Sequence, residues 1–125
     1  MLAAVLPRTG SRAPRLILGL PGNPVSVMVT ARRLGIPMLG KLAGLPHGQF
    51  TAPRLHTDGD DGAHLGMWWF RLVSERISAE GERRLQLLPT KSSGDIAAAA
   101  TSIGFVEVAP HQSAAGANAF YSWMH

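Results

Sequence analysis

Apolar positions in this chain follow two different rhythms. Between residues 16 and 42 they are dense. Leu16-Ile-Leu-Gly-Leu20 is an almost unbroken apolar run of strand length, and Val25, Val27, Met28, Val29, Ala31 and Leu34 then spread over much of a helical circumference. This predicts a strand over 16–20 and a helix over 25–34, packed on several sides. Gly35 and Pro37 are expected to end or kink that helix, with Met38, Leu39 and Leu42 forming one further helical stretch before Gly44. Beyond residue 66 the apolar residues fall instead into short runs separated by turn residues. These predict strands over 66–77, 85–88, 103–109 and 119–124, with turns at Asp58-Gly59, Asp61-Gly62 and Glu80-Gly81-Glu82. The alanine-rich segment 96–100 reads as one or two helical turns. Several short strands with turns between them suggest a small β-barrel or sandwich.

The junction between the first strand and helix is chemically specific. Pro21 and Gly22 break the strand, Asn23 is a good helix N-cap, and Pro24 suits the first helical position, where its missing N–H costs no hydrogen bond. Such a turn presents free amides and the positive end of the helix dipole, which suits an oxyanion. An ordinary strand-to-helix turn has the same residue pattern. Arg32 and Arg33, near the helix end, read as a solvated pair matched to the dipole.

Pro46, Gly48 and Pro53 punctuate a linker-like stretch, which predicts a domain boundary between residues 44 and 52. That boundary separates a strand–helix unit over 1–45 from a strand-rich unit over 46–125. With 46% apolar residues the chain can build a core, and with no cysteine it has neither disulfides nor thiolate metal sites. The apolar run at Leu2 to Leu6 precedes Arg8, Arg12 and Arg15, the reverse of a secretory signal, and no run is long enough to cross a membrane. The expected location is cytoplasmic. A formal charge of +4 suits an anionic ligand or nucleic acid alike.

Most catalytic motifs are missing. His47, His56, His64, His111 and His125 have no i,i+4 pair, which argues against zinc, and there is no serine-hydrolase elbow, P-loop or dinucleotide fingerprint. Trp68, Trp69 and Phe70 read as core aromatics, or else as a base-stacking platform on a basic barrel. Arg71 interrupts the same apolar strand, so it faces an acid, an anion or a neighbouring domain, or turns outward at an edge. Thr90-Lys-Ser-Ser-Gly94 is a polar loop before the alanine-rich helix. Its hydroxyls and Lys91 could hold an oxyanion, or Ser92 or Ser93 could simply cap the helix.

Gly19-Leu-Pro-Gly-Asn-Pro-Val-Ser26, a following helix and Lys41-Leu-Ala-Gly44 together resemble the molybdopterin molybdotransferase family (MoeA and the E domain of gephyrin). There the octapeptide lies near the end of the molybdopterin-binding domain, and a small C-terminal β-barrel follows. Phe70-Arg71 looks like the family's aromatic–arginine step, Ser93 matches the serine of its Gln-Gly-Ser-type loop, and Ser102-Ile-Gly-Phe-Val-Glu-Val-Ala-Pro110 with Ala115-Gly116 resembles its later strands. The resemblance spans residues 15–125, the last third or so of a family member. It implies an α+β fragment: the terminal strand–turn–helix of an α/β molybdopterin-binding domain, then the barrel. It further implies an enzyme that inserts molybdate into adenylylated molybdopterin with a divalent cation, Mg2+, and a possible homodimer. By the same resemblance Pro21, Gly22, Asn23 and Pro24 line the molybdopterin–molybdate pocket, and Arg71 and Ser93 contribute oxyanion contacts from the barrel.

Departures from the family pattern restrict that expectation. The glycine-rich molybdopterin loop and the acidic metal ligands belong to upstream domains that the sequence does not contain. Lys91 and Ser92 replace glutamine and glycine, and Ala31-Arg-Arg33 stands where an aromatic is usual. The sequence therefore reads as a C-terminal piece or truncated reading frame, catalytically incompetent alone, with residues 1–44 loosely packed. The competing expectation is a basic β-barrel module that binds nucleic acid or a protein partner.

Overall fold

The computed structural model describes residues 2–7, 10, 15–46, 50–60, 62 and 65–124. Arg8, Arg12, His47, Gly48, Asp61, His64 and His125, named above, lie outside the described residues. Among the described residues no helix is long and apolar enough to cross a membrane.

The first strand, β1 (Leu2–Leu6), comes from the short apolar run before the first arginines. It pairs antiparallel with β2 (Arg15–Gly19), with Leu2 opposite Gly19 and Leu6 opposite Arg15. This hairpin keeps much apolar surface in solvent, including Val5 at 63% exposure and Ile17 at 50%.

After the Pro-Gly turn comes α1 (Pro24–Thr30), then a widened π-helical turn over Ala31–Gly35, then α2 (Ile36–Leu42). Gly35 and Pro37 therefore do not end the helix. Pro37 lacks the N–H that a regular helix needs at that point, and the wide turn just before it absorbs the missing bond. Gly35 is buried beside Leu18 of β2, whose Cδ2 lies 3.7 Å from where a Cβ would sit, an ordinary contact distance.

The remainder closes into a five-stranded barrel. Its strands are β3 (Arg54–Asp58), β4 (Trp69–Ile77), β5 (Arg83–Leu87), β6 (Gly104–Val108) and β7 (Gly116–Ser122), hydrogen-bonded in the order β3-β5-β4-β6-β7. The β3–β5 pair is parallel and the others antiparallel. A short helix, α3 (Ile96–Thr101), lies between β5 and β6. The long run expected over 66–77 is strand only from Trp69. β3 is the strand that sequence patterning passes over, because Arg54-Leu-His-Thr-Asp58 carries a single large apolar residue. Its place in the barrel is earned by backbone pairing on both edges and by Thr57, which is fully buried.

Strand alternation splits the core in two. Val73, Leu85, Val106, Val108 and Phe120 fill the barrel interior. Leu72, Phe105 and Tyr121 point outward and meet Val25 and Val29 of α1 and Ala99 of α3. Phe105 is the centre of this outer layer, stacked on Tyr121 at 5.0 Å and in contact with the rings of Phe70 and Trp123 at 5.7 and 5.2 Å. The helical run is thus held onto the barrel by one α1 face, one residue per helical turn.

Polar contacts complete the attachment. Arg33 Nε donates to Glu107 at 3.0 Å, the same carboxylate accepts from the Tyr121 hydroxyl at 2.9 Å, and Arg32 Nε donates to the Ser122 carbonyl at 2.6 Å. The two arginines are clamps rather than a solvated pair. Burial, then the hydrogen bond to Glu107, pushes the Tyr121 phenol up to about 12. Tyr121 is the only tyrosine, so its ionisation can be read directly by absorbance. We expect a titration near that value, moving down toward the ordinary phenol value near ~10 in Glu107→Gln. The raised folded value also means that this contribution to stability is complete below the unfolded phenol's pKa and is lost as pH rises through the folded one. Alkaline unfolding monitored beside the absorbance titration should show that loss, reduced in Glu107→Gln.

Candidate functional site

A cleft of about 430 Å³ opens where α1, the start of β4 and the loop before α3 meet. Each wall has a local cause. Val25 and Val29 anchor α1 to the barrel, and this turns Ser26 and Thr30, one helical turn apart, toward the cleft. Phe70 and Leu72 form the floor from the outward face of β4. The loop from Thr90 to Ser93 supplies the polar rim, with Lys91 its one cation. Among the described residues no carboxylate lines the cleft.

The rim loop is organised by Asp95. Its carboxylate accepts from the Ala98 amide at 3.0 Å, which makes it the N-cap of α3, and from the Lys91 amide at 3.2 Å. Those two backbone donors hold its pKa below the ordinary carboxylate value. Capping by Ser92 or Ser93, one reading of the sequence, is therefore not what occurs. Ser92 Oγ instead accepts from the Gly94 amide at 3.2 Å within the loop.

Ser93 is left to make a longer-range contact. Its hydroxyl accepts from Asn23 Nδ2 at 3.0 Å, across 70 residues of sequence. Asn23 has the extended backbone of an N-cap, yet its side chain makes no capping bond to the first turn of α1. The carboxamide is spent on Ser93, and the Asn23 Oδ1 atom is buried without a hydrogen-bond partner among the described residues.

The other sequence-nominated residues lie elsewhere. Pro21 is half-buried and Gly22 and Pro24 are exposed, and none of the three forms a wall of the cleft. Arg71 is buried at 5% exposure on the opposite face of β4 from Phe70 and Leu72, in line with Val73. Its guanidinium lies over the Trp69 ring at 4.1 Å and faces a separate cavity of about 370 Å³ shared with Leu87 and Pro89. The fold thus joins Asn23 to Ser93 and places Arg71 on the far side of a strand. Trp69 and Thr90 border both spaces.

Trp68 corrects the expectation for the aromatic trio. Phe70 and Trp69 do pack against core clusters, but Trp68 precedes β4, is 57% exposed and lines the cleft. Ser26 and Thr30 were also invisible as site residues, although their i,i+4 spacing puts both on one helix face.

Hydroxyls and an ammonium suit a tetrahedral oxyanion, by hydrogen bonds and charge. The ammonium repels Mg2+, and among the described residues no carboxylate lines the cleft to hold it. Among the described residues no group of three or more His, Cys, Asp or Glu is placed to hold a metal ion. No protein-family model matches this sequence, and no curated protein matches it.

Proposed function

We propose that this chain is the C-terminal part of a molybdopterin molybdotransferase, and that its cleft helps to hold the oxyanion in the insertion of molybdate into adenylylated molybdopterin. The supporting observation is the Asn23–Ser93 hydrogen bond. It joins two segments that separately resemble the family's substrate-lining segments, beside a cleft of hydroxyls and one lysine. On this reading residues 1–45 are the end of the molybdopterin-binding domain, and 46–125 are the C-terminal barrel. Homodimerisation and a cytoplasmic setting belong to the same proposal.

The chain's own residues have defined work in it. Lys91 supplies positive charge, and Ser26, Thr30, Thr90 and Ser93 supply hydroxyls that reorient to donate to anionic oxygens. Trp68 gives one wall an open aromatic face. Asp95 holds the Lys91 amide and so fixes the rim. The cleft does not fit Mg2+, so no step is assigned to a metal here. The isolated chain is accordingly a binding unit, incompetent for the complete reaction.

Equilibrium dialysis of the full chain against inorganic molybdate tests this reading. Saturable binding should weaken about tenfold in Ser93→Ala and in Lys91→Ala, roughly the worth of one charged hydrogen bond. Retained far-ultraviolet circular dichroism would show that the variants still fold. Absence of saturable binding, or variants that bind as well as the parent, would overturn it.

One observation favours a second reading. An exposed Trp68 beside Lys91 on a basic chain is also a stacking platform for single-stranded nucleic acid. Oligonucleotide binding that falls steeply with salt and is lost in Trp68→Ala, without molybdate binding, would select it.

A further inference from the structure

A further cavity is larger than both the cleft and the Arg71 space. It measures about 590 Å³ and opens at the barrel end where β3 begins and β7 finishes. Phe50, Leu55, Phe120 and Tyr121 give it apolar surface, and among the described residues Arg32 and Arg83 are the charged ones that line it. Among the described residues no acidic side chain lines it, and no carboxylate pairs with Arg32.

Both arginines are held by the same atom. Arg32 uses Nε to bond the Ser122 carbonyl, and Arg83 uses Nε to pair with Glu75. Arg83 is also steadied over the Phe120 ring at 5.8 Å. Tethering at Nε fixes the plane of each guanidinium and leaves its terminal nitrogens, the pair suited to a carboxylate or phosphate, without a hydrogen bond to any described residue. The volume falls in the range of small-molecule sites, and the mixed lining offers polar contacts to a head group and apolar contacts to a body.

We propose that this cavity binds a small organic anion, with an apolar or aromatic body against Phe50, Leu55 and Phe120 and its carboxylate or phosphate between Arg32 and Arg83. The site lies apart from the oxyanion cleft and does not depend on the function proposed for it. Arg32 also belongs to the clamp between helix and barrel, so an occupant here would bear on the attachment that builds the cleft.

Titration of the full chain with phenylacetate and with phenylphosphate, followed in the amide NMR spectrum, tests the proposal and separates the two head groups. Saturable shifts are expected at Arg32, Leu55, Arg83, Tyr121 and Ser122 with at least one of the anions. Uncharged benzyl alcohol should bind at least about tenfold more weakly, and Arg83→Gln should weaken the preferred anion by a similar factor. Arg32→Gln should do the same, with Arg32→Lys restoring part of the loss. Ser93→Ala should leave binding unchanged. The proposal is overturned if neither anion gives saturable shifts, if benzyl alcohol binds equally well, if folded Arg83→Gln binds like the parent, or if Ser93→Ala abolishes binding.

Discussion

Phe105→Ala should cost about 3–5 kcal/mol, a large share of the roughly 5–15 kcal/mol that stabilises an ordinary domain. Phe105 is fully buried on the outer face of β6 and touches three other rings. The loss combines the transfer free energy of the ring with the cavity left behind. Backbone pairing of β6 to β4 and β7 limits how far that cavity can collapse. The same ring is the surface on which Val25 and Val29 rest, so the helical run should loosen first. Urea unfolding should show the midpoint falling by roughly 1–5 M, given slopes of about 1–3 kcal/mol per molar. Phe105→Leu, which keeps much of the volume, should recover more than half of the loss. A cost below about 1 kcal/mol would mean that α1 is not held through this layer.

Gly104→Ala is expected to be almost as damaging, although it adds one methyl group. Gly104 begins β6, opposite Val73 on one side and Ser122 on the other. A Cβ there would fall on the Tyr121 carbonyl oxygen and 2.9 Å from Phe120 Cε2. The obstacle is backbone, held by the strand ladder, so no side-chain rotation relieves it. Spreading the β6–β7 pair would break ladder bonds and disturb both cores at once, because Phe120 belongs to the interior and Tyr121 to the outer layer. A loss of about 3 kcal/mol is expected by the same unfolding measurement. A near-neutral result would show that the two strands separate freely at this end.

These two positions bear on the cleft as well as on stability. Its walls come from α1, β4 and the loop before α3, and no single element contains it. The cleft exists because Phe105, Glu107 and the two arginine clamps bring α1 to the barrel. Variants that loosen this attachment should lose anion binding before they lose the barrel.

The sequence by itself determined the local pieces. The apolar run into Pro21-Gly22 specified a strand and then a helix opening at Pro24. The Val, Phe and Leu content of the later runs specified β4, β5, β6 and β7 to within a few residues. The alanine-rich segment specified α3. Each follows from properties of neighbouring residues: periodicity, backbone restriction at proline and glycine, and propensity. Tertiary structure decided the rest. It made a strand of Arg54–Asp58, where pairing on both edges outweighs a polar composition. It carried the helix through Pro37, because packing holds a wide turn that propensity alone disfavours. It turned Asn23 from a cap into a partner of Ser93, exposed Trp68, and set Arg71 behind β4, away from both. Those outcomes depend on which residues distant in sequence meet in space, and on which face of a strand each one falls once the barrel closes. Local pattern names the groups able to bind an anion; only the closed barrel and the docked helix select the ones that stand together.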